Sequence, residues 1–333
     1  MIKFKKYTKC VYCGSKKIKK EKNQYFPNNF YLKAIKLDLS ISMKEFKKMK
    51  VYRCGNCFIL QNSPWFTESI SQKIYSNIYG QHNKGWSNLL SFLKKGKRPN
   101  HGKLFELIQK RIKIRNYAEF NSPFMGLYLD FFATEYKKSK IFYNNIMQNI
   151  IGYLTSRQVA GKGKKIQKLS LNRSKNFLNK INYLKKKNFI SKTASKYLFV
   201  DNSSLCWGQN DNYKSVNSKS FASEMFDLKI LDISSKPEKI KIDLFGIFLT
   251  LDHTFEPYKT LNFALDISKY VIVYCHVGSK LNKQHLFSLT KDFLHYLNKK
   301  NVYTLDLTNE IDKKYTSPEL YFLCSRKKFK NFT

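Results

Sequence analysis

The residues of this chain that could do chemistry fall into two groups: cysteines in close pairs, and acids and histidines that follow apolar runs. Cys10-Val11-Tyr12-Cys13 and Cys54-Gly55-Asn56-Cys57 are two Cys-x-x-Cys knuckles. Four thiolates delivered as two tight pairs can close a tetrahedral shell around Zn²⁺, and a shell with no open position is structural rather than catalytic. Gly14 and Gly55 ease the backbone beside the knuckles. The other cysteines, Cys206, Cys275 and Cys324, are scattered through apolar stretches, and the total is odd. Met1-Ile2-Lys3-Phe4-Lys5-Lys6 is not followed by an apolar signal core. This pattern reads as reduced thiols in a cytoplasmic protein, not as a disulfide framework.

The second group is Asp201, Asp232, Asp252, His253 and His276. Each closely follows a run that reads as a strand. An acid at the end of an early strand is placed to bind the hydroxyls of a nucleoside ribose. An imidazole titrates near neutrality and can serve as a base. The plainer roles stand beside these: a strand-end acid caps a helix or forms a turn, and His253 closes the start of the helix after it. His82, His101, His285 and His295 read as surface or structural residues.

The elements that must position these groups divide the chain in three. Residues 1–62 carry the knuckles and form a zinc-binding lobe with a Lys-rich insertion. Residues 63–190 read as a helical connector and insertion. Ser63-Pro64 opens a helix, with Ser as N-cap and Pro in the first turn. Gly85, Gly96, Pro99 and Gly102 punctuate a connector, and Leu104, Leu107, Ile108 and Ile112 repeat at helical spacing. Residues 116–126 read as a loop. Helix faces follow at Phe142–Leu154 and Phe177–Leu184. Residues 191–333 alternate between strand and helix patterns. Strands are expected at Tyr197–Val200, Leu228–Leu231, Ile242–Leu251, Tyr270–Tyr274, Val302–Leu305 and Leu320–Leu323. Helix stripes are expected at Phe221–Phe226, Leu261–Ser268 and Leu286–Leu297. The alternation predicts an α/β domain with a Rossmann-like, mainly parallel sheet, whose ligands bind at the carboxyl ends of the strands.

The 333 residues hold 62 Lys and Arg against 23 Asp and Glu, a net charge of +39. A chain this basic suggests nucleic acid. The kind of cation argues otherwise. Arg53, Arg98, Arg111, Arg115, Arg157, Arg173 and Arg326 are the only arginines, whereas phosphate and base-edge recognition favours the guanidinium fork. The lysines are spread along the chain, as a generally solvated basic surface requires, so no specific nucleic acid is expected. The longest apolar run, near Leu244–Leu251, is far short of the ~20 residues that span a bilayer.

The chain resembles the S-adenosylmethionine-dependent methyltransferases, in particular the sugar C-methyltransferase-like proteins with an N-terminal zinc-binding lobe. Two knuckles some forty residues apart precede the methyltransferase domain in that group, as residues 14–53 separate them here. Ile242-Asp-Leu-Phe-Gly-Ile-Phe-Leu-Thr-Leu-Asp-His-Thr-Phe-Glu-Pro257 looks like its fourth strand and the acidic-His-x-x-x-Pro segment after it. The resemblance covers the lobe and residues 195–330. It implies S-adenosylmethionine as cofactor, held by Asp201, Ser203, Ser204, Gly208 and Asp232. It implies a polar acceptor such as a nucleotide-linked sugar, with Asp252, His253 and His276 as catalytic residues. The family's first loop carries alternating glycines; here the stretch reads Asp201-Asn-Ser-Ser-Leu-Cys-Trp-Gly208. Three readings follow: a methyltransferase-like enzyme, a catalytically inactive relative that binds a ligand through the same cleft, and a zinc-ribbon nucleic-acid-binding protein.

Overall fold

The computed structural model describes residues 4–22, 48–71, 99–120, 127, 197–201, 230–232, 242–276, 285–311 and 319–329. Thirteen strands in these segments form three sheets. A two-stranded ribbon pairs β1 (Phe4–Lys5) with β5 (Trp65–Phe66). A four-stranded sheet is ordered β11-β4-β3-β2, from β2 (Ile18–Lys20), β3 (Lys50–Cys54), β4 (Leu60–Ser63) and β11 (Phe287–Ser288). A seven-stranded sheet is ordered β12-β13-β10-β9-β6-β7-β8. Its strands are β6 (Tyr117–Phe120), β7 (Tyr197–Asp201), β8 (Ile230–Asp232), β9 (Ile242–Phe248), β10 (Ser268–His276), β12 (Tyr303–Asp306) and β13 (Glu319–Ser325).

The expected Rossmann-like, mainly parallel sheet is therefore corrected. Of the ten strand pairings among the described residues, six are antiparallel and four parallel. Two of the three sheets are wholly antiparallel, and the seven-stranded sheet is mixed, because β13 runs against both β10 and β12. The physical reason lies in the connections. A parallel pairing needs a long crossover, whereas β3 and β4 are joined by a short turn and so run antiparallel, and β13 enters between β10 and β12 in the opposite direction.

Three helices are described here: α1 (Pro99–Arg111), α2 (Pro257–Ile267) and α3 (Asp292–Lys299). Pro257 starts α2, where its missing N–H costs no bond, and Leu261, Ala264 and Leu265 bury its inner face. Asp292 and Lys299 sit at the ends of α3 that suit their charges. That helix stops in a Schellman turn: Asn301 takes φ +58°, its N–H donates to Asn298 O, and the Val302 N–H donates to Leu297 O. The Leu286–Leu297 stripe is helical only from Asp292, since Phe287 and Ser288 pair with Gln61 and Leu60 of β4.

Two further differences matter for function. Ser63 is not a helix cap. It ends β4 before a cis Ser63–Pro64 bond, and its hydroxyl accepts from the Tyr7 N–H and donates to Tyr7 O. The expected loop at 116–126 contains β6, an interior strand of the large sheet between β9 and β7, so that sheet draws on a segment assigned to the connector. Asp243 fixes β6 beside β9: its carboxylate accepts from the Arg115 N–H at 2.9 Å, and its own N–H donates to Asn116 Oδ1 at 2.6 Å.

One core runs through lobe and sheet, from Cys54, Ile59 and Trp65 to Phe245, Val273 and Phe322. Within the large sheet, Gly246 of β9 lies against Tyr117 of β6. A Cβ there would fall 2.2 Å from Tyr117 Oη and 2.7 Å from the Phe248 ring. Tyr117 is buried and donates its hydroxyl to the buried Glu119 at 2.7 Å. Overpacking costs about 1–3 kcal/mol. Gly246→Ala should therefore lose about that much in urea unfolding, and Tyr117→Phe, which removes the nearest atom, should recover part of it in the double variant.

Candidate functional site

Both knuckles come together. Cys10 Sγ lies 3.4 Å from Cys57 Sγ, and Cys13 Sγ lies 3.6 Å from Cys54 Sγ. All four sulfurs fall within 4.8 Å of one another. A tetrahedron with Zn–S bonds of ~2.3 Å has edges of about 3.8 Å, so the cluster is of the right size to bind zinc. Backbone N–H groups of Cys13, Asn56 and Cys57 point at the sulfurs of Cys10 and Cys54. A hydrogen bond with Cys13 pushes Cys10 up to about 12, while hydrogen bonds from Cys10 and Cys57 hold Cys13 well below the ordinary thiol value. Each knuckle ends on a left-handed residue: Gly14 at φ +69° and Phe58 at φ +63°. The second turn thus relies on Phe58, and Gly55 serves otherwise, donating its N–H to Lys17 O at 2.7 Å.

Tyr12, at the tip of the first knuckle, is buried. Its ring stands edge-on to Phe293 at 4.8 Å and near Tyr258 and Tyr296. Trp65 lies 5.7 Å from Phe255. The knuckle tip is spent on packing against α2 and α3.

A second cluster is built where β9 and β10 end. The chain leaves β9 through Leu249, at φ +48°, into a 3₁₀ turn, Leu251–His253. Asp252 is fully buried, and His276 closes β10 beside it. His276 Nδ1 lies 3.0 Å from Asp252 Oδ2. His285 Nδ1 approaches the same oxygen at 3.5 Å. The His253 and His285 rings meet edge to face at 4.3 Å, and those of His276 and His285 lie 4.9 Å apart. Donor atoms of all four residues fall within 4.8 Å of one another.

The electrostatics follow from burial. Burial alone would raise the Asp252 carboxyl, but His253, His285 and the hydrogen bond with His276 hold it well below its ordinary range. Burial pushes His253 down to about 4 and lowers His285 as well. Burial also works against His276, yet its hydrogen bond to Asp252 and the charges of Asp252 and Glu319 raise it. One protonatable imidazole thus faces one carboxylate, flanked by two neutral rings.

The structure brings Asp252, His253 and His276 into one cluster. Asp201 and Asp232 end β7 and β8, paired with each other in register, two and three strands from β9 in the same sheet. Ser203, Ser204 and Gly208 lie outside the described residues, as do Cys206 and the helix expected at Phe221–Phe226. Sequence reasoning missed His285. It stands before a two-residue strand, and only the β4–β11 pairing shows that the lobe carries it in. Asn62 of β4 donates its side-chain amide to His285 O at 2.7 Å and its N–H to Leu286 O at 2.8 Å. It also missed Glu119, buried in what read as a loop.

No family model matches the chain, and no curated protein matches it. No helix among the described residues is long and apolar enough to cross a membrane.

The His253 shift sets an acid limit on stability. Its folded value lies below the ordinary 6.5, so the unfolded chain takes up the proton first. The associated stability is complete above about pH 6.5 and is lost as pH falls towards about 4. In His253→Gln the stability difference between pH 7 and pH 4 should shrink by roughly 3 kcal/mol, read from unfolding midpoints across that range. An unchanged acid slope would exclude a buried neutral His253.

Proposed function

We propose that the chain is an S-adenosylmethionine-dependent methyltransferase-like protein acting on a polar acceptor, with a nucleotide-linked sugar as the leading class, and that its tetrathiolate lobe holds a structural Zn²⁺. One observation carries this reading. From β6 the parallel strands step to β7 and β8 on one side and to β9 and β10 on the other. Asp201, Asp232 and His276 end β7, β8 and β10 at the same sheet edge, and Asp252 and His253 follow β9 there. Where parallel strands reverse their winding, a crevice opens outside their carboxyl ends.

Asp201 ends the strand beside β6, so it lies one strand closer to the reversal than Asp232. That favours Asp201 for the ribose hydroxyls, with Asp232 further out. Ser203, Ser204 and Gly208 follow Asp201 in the chain and would supply donors to the cofactor. Methyl transfer asks the protein for in-line positioning and for a base. His276 suits the base: its side chain is 33 % exposed, whereas Asp252 behind it is at 0 %. It would take the acceptor's proton, Asp252 would stabilise the resulting imidazolium and His253 would line the wall, while S-adenosylmethionine, when bound, would supply the methyl for the acceptor. The glycine-poor stretch ending in Trp207-Gly208 favours the inactive relative as the second reading.

Calorimetric titration with S-adenosylmethionine tests the cofactor. Wild type should bind. Asp201→Ala should weaken binding at least ~10-fold, as expected for lost charge-assisted hydrogen bonds, and more than Asp232→Ala does. No binding by wild type would sink the enzyme reading and promote the inactive relative.

The lobe is tested separately. Cys54→Ser should lose one zinc per chain by elemental analysis and lower the unfolding temperature, because metal binding and folding are coupled. Unchanged zinc content would refute the tetrathiolate site.

A further inference from the structure

We propose that Asp252, His253, His276 and His285 form a second metal centre, which takes a divalent first-row transition ion in a three-imidazole, one-carboxylate donor set. The four donors meet from three separate chain segments, the turn after β9, the end of β10 and the residues just before β11, and lie within 4.8 Å of one another. Hydrogen bonding alone leaves this cluster incomplete. Asp252 Oδ2 faces His276 at 3.0 Å and His285 at 3.5 Å, but Asp252 Oδ1 is buried with no hydrogen-bond partner among the described residues. A buried carboxylate oxygen is rarely left so, and a bound ion is one of the few things that explains it.

The donor chemistry selects the ion. Imidazoles with one carboxylate suit zinc, iron, cobalt or nickel, whereas magnesium and calcium want oxygen shells. The surroundings also fit a metal centre. Backbone carbonyls of two of the histidines are anchored, His285 O by Asn62 and His276 O by the Ser288 hydroxyl at 3.1 Å. These contacts fix the backbone that carries two of the donor side chains. Three of the donors are closed off, and His276, a third exposed, leaves one open side as an entry path. An ion with an open side would polarise an acceptor oxygen as a Lewis acid. In that case His276 acts as a ligand and the ion activates the acceptor. This last consequence rests on the methyl-transfer reading; metal binding itself does not.

The test is a Co²⁺ titration of the full metal-depleted chain, with no methyl donor present. Two equivalents should bind. The tetrathiolate lobe should give intense sulfur-to-cobalt absorption in the near ultraviolet, and the second equivalent only weak visible bands. His276→Gln and Asp252→Asn should weaken the second equivalent by at least ~10–100-fold and spare the first. His276→Gln, at the exposed edge, carries the test if Asp252→Asn does not fold. Saturation at one equivalent overturns the proposal. So does a second equivalent that is unchanged in His276→Gln, since that marks an adventitious surface ion. A second equivalent in a protein that does not bind S-adenosylmethionine leaves the metal centre standing and removes the cofactor reading; the converse result does the reverse.

Discussion

Asp252 is a carboxylate taken wholly out of water, and much of the molecule is arranged around that fact. An isolated buried charge costs several kcal/mol even after the surroundings relax. It persists only where partners return that energy through hydrogen bonds and opposite charge. Here the partners are three histidines, brought in by three different stretches of the chain. His253 is its chain neighbour, His276 comes from the end of β10, and His285 arrives with β11. Meeting the electrostatic demand of one side chain therefore requires β9 and β10 to be parallel and in register, and the segment after β10 to return over them.

That return is where the lobe enters. Residues 285–290 are fastened to the lobe from one end to the other. Asn62 holds the backbone at His285 and Leu286, β11 pairs with Leu60 and Gln61, and the Thr290 hydroxyl donates to Phe58 O at 3.0 Å. Phe58 directly follows Cys57, and its left-handed turn closes the second knuckle. A chain of short contacts thus links the sulfur cluster to the histidine cluster. The continuous core says the same in apolar terms, since Cys54, Cys57, Phe287, Leu289 and Phe293 belong to one packed set.

Legibility in the sequence followed the range of the interactions. The knuckles announce themselves because their spacing is local, and β9 and β10 read clearly because long β-branched and aromatic runs specify buried strands. The acid-histidine ends of those strands were legible for the same reason. β6 was not: four residues flanked by Asn116 and Asn121 carry too little pattern, and its strand character comes from the neighbours on either side. His285 was invisible because its partners in β4 are more than two hundred residues away. Ser63-Pro64 carries the composition of a helix start, but the Tyr7 backbone captures the serine hydroxyl and the chain goes on as strand. The parallel character was overestimated because alternation of strand and helix patterns does not reveal that β13 inserts between β10 and β12 in the opposite direction.

The same geometry bears on the large positive charge. A zinc ribbon that reads nucleic acid must present its knuckles or its sheet face to the ligand. Here Tyr12 is packed between α2 and α3, and β4 gives its free edge to β11. In the lobe, Arg53 forms a half-buried pair with the protein's own Glu21 at 2.6 Å. Arg111, on α1, is likewise held by the Glu310 carboxylate at 2.7 Å. An arginine paired with a carboxylate of its own chain has part of its charge and donors already engaged. The lysines that make up most of the charge are spread over the sequence and lack the guanidinium fork. The lobe's contacts run to the rest of its own chain, and one residue they hold in place, His285, belongs to the cluster around Asp252.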